Sequence, residues 1–98
     1  MTAVTPPPVP VVEAPPPRGT REVLAEADKL LGQGEITDAC ARGEEAKRIN
    51  GSLAMTYKFL GKCYMRAGRA GEANANYKRY LELAPNAPDA PFIKSIIK

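Results

Sequence analysis

The chain has no histidine and no tryptophan, and only two of its 98 residues are cysteines. Without histidine it lacks the side chain that most often acts as a general base near neutral pH and a common nitrogen ligand of zinc. The sequence also has no glycine-rich phosphate loop, no nucleophile elbow and no cluster of metal ligands. We therefore expect a protein that is not an enzyme and that needs no cofactor or metal ion.

Long apolar stretches are missing as well. No run approaches the roughly 20 residues of a membrane-spanning helix, and the N-terminus lacks the apolar centre of a signal peptide. These absences predict no direct membrane insertion and a cytoplasmic location, with a tether to a larger or membrane-associated assembly as an option. Cys40 and Cys63 lie among small or apolar residues. We expect them to be buried, reduced thiols in preference to a disulfide or a reactive thiol.

Proline is concentrated at the N-terminus, where the first 18 residues contain seven of the ten prolines. Such a segment favours extended or polyproline II conformations and offers no periodic apolar face to a core. We therefore assign residues 1–19 to a flexible proline-rich arm or linker, with a ligand for an aromatic-lined groove as the alternative. About 80 residues remain, a number typical of one small domain, and we assign residues 20–98 to it.

One apolar stripe in the second half of the chain predicts a helix with a notch. Four residues follow the spacing i, i+3, i+4 and i+7, which is one face of a helix: Tyr57, Leu60, Gly61 and Tyr64. Gly61 has no side chain, so a second helix can approach closely there. We expect Ala73 of the following segment to supply the small contact opposite this notch.

The stripe belongs to a longer pattern. The pattern has an aromatic-x2-Leu-Gly-x2-Tyr run, a turn glycine, a small residue four positions before an aromatic, and a proline: Tyr57, Leu60, Gly61, Tyr64, Gly68, Ala73, Tyr77 and Pro85. This segment resembles a tetratricopeptide repeat, a helix-turn-helix unit of roughly 34 residues. The resemblance implies a binding module built from helices.

A second and weaker copy precedes it. Moving the pattern back by about 34 residues preserves its small, large, turn and small positions at Ala27, Leu30, Gly34 and Ala39. Gly43 stands where the later copy has a bulky aromatic, and such losses are common in terminal repeats. The expected repeats span residues 20–53 and 54–87.

The expected fold is all-α. The predicted helices cover residues 20–31, 37–49, 52–67 and 70–83, with Thr20, Thr37 and Ser52 as N-caps. A short closing helix is predicted over about residues 89–98, because its apolar residues recur on one face: Phe92, Ile93, Ile96 and Ile97. Tyr80 stands where such repeats usually have a small residue. We expect its ring to pack against Phe92 and Ile96 of the closing helix.

Charge is unevenly distributed along the domain. Residues 20–57 contain five basic and seven acidic side chains, whereas residues 58–98 contain eight basic and three acidic ones. In the family that the chain resembles, the first helix of each repeat lines a concave groove, where a lysine can clamp a ligand carboxylate. The resemblance therefore implies a partner-binding groove formed by Arg21, Leu24, Asp28, Leu31, Met55, Lys58, Phe59, Lys62, Met65 and Arg66.

Two functions fit these observations. The first is an adaptor or scaffold that binds a protein or peptide segment, acidic or carboxylate-terminated, in the groove. The alternative is a structural module that self-associates through the ends of the short array. Binding of nucleic acid is not expected, because the tyrosines have core positions instead of interleaving with basic residues on a surface. Residues 80–86 also resemble short repeat segments of bacterial signalling and envelope-associated proteins, which recruit partners.

Overall fold

The computed structural model describes residues 19–97, and this part of the chain is all helical. Its helices are α1 (Thr20–Gly32), α2 (Ile36–Ile49), α3 (Ala54–Arg66), α4 (Ala70–Leu83) and α5 (Ala90–Ile96). The all-α prediction is confirmed. The proline-rich arm predicted for residues 1–19 lies outside the described residues, apart from Gly19.

The helices form two antiparallel pairs. α1 packs mainly on α2 and α3 mainly on α4, while contacts between α2 and α3 join the pairs. Each pair turns at a glycine with a left-handed backbone, Gly34 with φ 83° and Gly68 with φ 77°. Both glycines stand where the sequence pattern placed them, and a side chain there would be strained. The result is a helical-repeat-like arrangement.

The helix starts differ from the predicted ones. The N-caps are Gly19, Glu35 and Leu53 in place of Thr20, Thr37 and Ser52, and none of the three donates or accepts a side-chain cap hydrogen bond. At α1 the Gly19 amide donates to the Glu22 carboxylate over 2.7 Å. Thr20 is buried in the first turn instead of capping it. At α1, the burial of Thr20 and the Glu22 carboxylate therefore decided the helix start more than hydroxyl capping did.

Two glycines let α3 lie close to both of its neighbours. A Cβ atom at Gly61 would lie 2.6 Å from the Tyr77 ring, so the notch is confirmed. Its occupant is the Tyr77 ring and not Ala73, although Ala73 is fully buried nearby. A Cβ atom at Gly43 would lie 2.7 Å from a methyl carbon of Leu60. The apparent loss of an aromatic at Gly43 is thus what admits α3 against α2.

All four tyrosines are buried, as the sequence predicted. Tyr57, Tyr77 and Tyr80 form one cluster with Ile93 of α5, while Tyr64 belongs to the core formed by α1, α2, α3 and α4. Tyr64 donates to the Glu44 carboxylate over 2.6 Å, and Tyr57 donates to a backbone carbonyl over 2.7 Å. Burial and the hydrogen bond to Glu44 raise the pKa of Tyr64 to about 12. Both phenol groups are therefore buried with a hydrogen-bond partner.

Cys40 and Cys63 form a disulfide that joins α2 to α3. Both residues are buried, as expected, but the prediction of reduced thiols is wrong. The two cysteines are 23 residues apart in the chain and belong to different helix pairs. The packing of α2 on α3 brings them together, which spacing along the sequence did not reveal. The disulfide therefore ties the first helix pair to the second.

The disulfide closes a loop between residues that are 23 positions apart, which restricts the unfolded chain. Its removal should therefore lower the stability measurably. We expect reduction to lower the free energy of unfolding by about 3 kcal/mol. Denaturant unfolding with and without reductant measures the difference. The double variant Cys40→Ala/Cys63→Ala is the control, because its midpoint should not respond to reductant. A wild-type midpoint that is equally insensitive would contradict the disulfide.

The closing helix α5 packs on the second helix pair with most of the predicted face, and Phe92 is the exception. Ala90 and Ile93 are buried, and Ile96 and Ile97 are partly buried against the tyrosine cluster. Phe92 is 63% exposed, so its predicted packing on Tyr80 is wrong. In a seven-residue helix with Ala90 and Ile93 inward, the side chain before Ile93 is rotated about 100° away from the core.

Truncation tests the contribution of α5 to stability. Removal of residues 89–98 should cost about 2 to 4 kcal/mol, because it uncovers the tyrosine cluster and removes the buried Ile93 side chain. Thermal unfolding of the full and truncated chains provides the comparison. The variant Phe92→Ala, which changes an exposed residue of the same helix, should unfold at the wild-type temperature. Equal unfolding temperatures for the truncated and full chains would exclude a stabilising role for α5.

Candidate functional site

A groove of about 590 Å³ runs along α1 and α3. This volume falls within the range of roughly 300 to 1,000 Å³ that is usual for ligand pockets. α1 contributes the side chains of the first hairpin and α3 those of the second, as expected for first helices. Residues from the start of α5, together with Tyr77 of α4, also line it. The groove is therefore built from both hairpins and the closing helix.

The structure brings seven of the ten predicted groove residues together. They are Arg21, Leu24, Asp28, Met55, Lys58, Phe59 and Lys62. Leu31 is turned inward and is buried in the core, while Met65 and Arg66 lie at the exposed end of α3 and do not line the groove. Groove residues of α1 and α3 are thus 34 positions apart, as the pattern predicted, as in the contact between Asp28 and Lys62. The groove is shorter than predicted, because it does not reach Leu31, Met65 or Arg66.

Sequence reasoning missed the remaining groove residues. They are Ala25, Tyr77, Asp89, Phe92 and Ile93. Three of them, Asp89, Phe92 and Ile93, belong to α5 or its N-cap. The sequence predicted only that this helix covers the core. The amphipathic pattern of α5 could have revealed this, because adjacent residues of a helix point in directions about 100° apart. Ile93 and Phe92 therefore cannot both be fully buried in the core. Phe92 therefore lies with its exposed ring at the groove.

Both groove lysines face a carboxylate of the same domain. Lys58 Nζ lies 2.5 Å from Asp89 Oδ2, and Lys62 Nζ lies 3.5 Å from Asp28 Oδ1. Arg21 has no carboxylate of residues 19–97 within ion-pair distance, and its guanidinium lies 3.8 Å from the Met55 sulfur. The charges of the two groove lysines are therefore largely neutralised within the domain. Among the described groove residues, Arg21 is the cation that no described carboxylate pairs with.

Asp89 is held by two donors. Besides the Lys58 ammonium, the Tyr80 hydroxyl donates to Asp89 Oδ1 over 2.6 Å. The hydrogen bonds from Lys58 and then Tyr80 lower the pKa of the Asp89 carboxyl, because they favour its ionised form. The same hydrogen bond to Asp89 raises the pKa of Tyr80 to about 12. This arrangement connects α3, α4 and the start of α5.

The Asp89 contacts predict the sign of a pH effect. An NMR titration should give this carboxyl a pKa below its ordinary value of 3.8. Since the pKa is lowered in the folded state, the stabilisation is present above the ordinary value and is lost as pH falls through the folded pKa. Lys58→Met should move the titration midpoint upward. Lys62→Met is the matched control, since that ammonium pairs with Asp28, and an equal shift in both variants would contradict the pairing.

No other chemistry stands out among the described residues. Residues 19–97 contain no group of three or more His, Cys, Asp or Glu side chains that is placed to hold a metal ion. No helix in the same range combines the length and the apolar character needed to cross a membrane. Comparison of the chain with protein-family models and with curated proteins gives no match. The groove is therefore the feature of the described residues that bears on function.

Proposed function

We propose that this domain is a tetratricopeptide-repeat-type binding module that takes a protein or peptide segment in its groove and catalyses no reaction. The groove along the first helices of two hairpins is the observation that carries this proposal. A volume of about 590 Å³ accommodates several side chains of a partner. The domain would act as an adaptor or scaffold, with residues 1–19 connecting it to another component.

The apolar side chains of the groove support a peptide ligand. Met55 and Phe92 are 46% and 63% exposed, and both line the groove, whereas Phe59 is buried at its base. Large exposed apolar side chains that gather in a concave surface are typical of interaction sites. Methionine also adapts its shape to different partners. These residues would supply most of the contact area.

The charges support a preference for acidic segments. Arg21 lines the groove with no carboxylate of the described residues beside it. A partner carboxylate near Arg21 would be attracted without first breaking an ion pair. Complementary charge of this kind mainly speeds encounter and selects partners. An acidic or carboxylate-terminated segment is therefore the ligand class that we propose.

The alternative of self-association has less support at the end of the array that α5 covers. α5 buries Ala90 and Ile93 against the second helix pair, so this end of the array is already covered. A further copy stacking there would have to displace α5.

The disulfide changes the proposed location. The cytoplasmic location expected from the sequence is reducing and favours free thiols, whereas Cys40 and Cys63 are paired. Structural disulfides persist mainly in oxidising compartments. We therefore favour such a compartment for this domain over the reducing cytosol.

Two methionines of α3 test the groove. Peptides selected on the wild-type protein from a random display library should bind Met55→Glu at least about tenfold more weakly, a loss of about 1.4 kcal/mol. The cause is a carboxylate placed in the apolar contact surface. Met65→Glu is the matched control, because Met65 is equally half-exposed on the same helix but lies outside the groove. Calorimetric titration measures both affinities.

Both methionine variants should unfold close to the wild-type temperature, because substitutions of exposed residues usually alter stability by less than about 0.5 kcal/mol. Equal binding by the wild type and Met55→Glu would exclude this groove as the site. An equal loss of affinity in both variants would show that the effect is not specific to the groove, which also contradicts the proposal.

A further inference from the structure

The carboxylate of Asp89 is seated between donors from two different helices. Lys58 of α3 contacts one oxygen at 2.5 Å, and the hydroxyl of Tyr80 of α4 donates to the other at 2.6 Å. Tyr80 is only 6% exposed, so packing holds its hydroxyl in place. Together the two donors form a carboxylate-binding pair beside the groove.

The Asp89 side chain does not cap α5. Asp89 is the N-cap of this helix, but its side chain makes no cap hydrogen bond. Its backbone carbonyl accepts from the Ile93 amide over 2.9 Å, and the Ile93 side chain is buried. The carboxylate can therefore leave Lys58 and Tyr80 while α5 stays anchored by Ile93. Solvent reaches both Lys58 and Asp89, which are partly exposed.

We propose that Asp89 is an internal competitor for the groove, and that an acidic segment of the partner binds by replacing its carboxylate on Lys58 and Tyr80. This inference rests on the proposed peptide-binding function and specifies how that site is regulated. A tethered carboxylate has a high effective concentration at its donors. It therefore weakens every ligand that needs the same donors and leaves apolar contacts unaffected.

The other lysine–aspartate pair of the groove, Lys62 with Asp28, provides a contrast. Asp28 lies 3.5 Å from Lys62, and its side chain is 66% exposed. No second donor such as a buried tyrosine is present on Asp28 among the described residues. Exposed pairs of this kind contribute little. Replacement of Asp28 thus provides a matched control for replacement of Asp89.

Acetate tests whether Lys58 and Tyr80 accept an external carboxylate. In full-length Asp89→Ala, acetate should raise the unfolding temperature by about 2 to 5 °C relative to chloride at equal ionic strength, since it binds the folded state. Wild type and Asp28→Ala should show no such difference. Adding Tyr80→Phe to Asp89→Ala should abolish it. The absence of any acetate effect in Asp89→Ala would overturn the proposal.

A pair of peptides tests competition in the groove. The probes are an octapeptide of alternating leucine and glutamate with a free carboxyl end, and its leucine-glutamine counterpart with an amidated end. Asp89→Ala should bind the acidic peptide at least about fivefold more tightly than the wild type does, because the tethered competitor is gone. The neutral peptide should bind both proteins equally. Asp89→Asn gives the same comparison if Asp89→Ala does not fold.

The outcomes separate the competitor from the groove. Equal affinity of the acidic peptide for wild type and Asp89→Ala overturns the competitor and leaves the groove in place. No binding of either peptide to either protein, with acetate still acting on Asp89→Ala, overturns the groove function and the competitor with it. If Asp89→Ala binds both the acidic and the neutral peptide more tightly than the wild type does, Asp89 closes the groove sterically. That result also overturns competition for the carboxylate donors.

Discussion

The close approach of α3 to both neighbouring helices is the constraint on which the rest of the structure depends. Tyr77 covers Gly61 on one side, and Leu60 enters the space left by Gly43 on the other. A side chain at either glycine would push the helices apart. Because α3 also carries Met55 and the groove lysines, its position sets the width of the groove against α1. The disulfide between α2 and α3 holds the same spacing covalently.

The closing helix contributes to both the core and the groove. Ile93 completes the tyrosine cluster, and one residue earlier Phe92 presents its ring to the groove. Asp89 at the start of the helix joins it to Lys58 and Tyr80. Stability and the shape of the groove are therefore coupled here, since a change in the position of α5 alters the groove lining and its charges at the same time.

The pairing of the lysines changes the expected source of specificity. Unpaired lysines would attract any acidic segment, whereas Lys58 and Lys62 already face Asp89 and Asp28. Under the proposed function, a partner carboxylate that binds at Lys58 or Lys62 has to compete with these internal carboxylates. Desolvating a charge is costly unless it is paired again, which makes such exchange selective for ligands that fit the donors.

Sequence periodicity by itself determined the helices, the turn glycines Gly34 and Gly68, and the register that brought most of the groove residues together. These features depend on neighbours within a few residues or on a repeat of fixed length, so the linear pattern contains them. Tertiary structure alone decided the disulfide, the exposure of Phe92 and the pairing of Lys58 with Asp89. Each of these depends on how helices pack against one another, and residues far apart in the chain meet only after that packing is set.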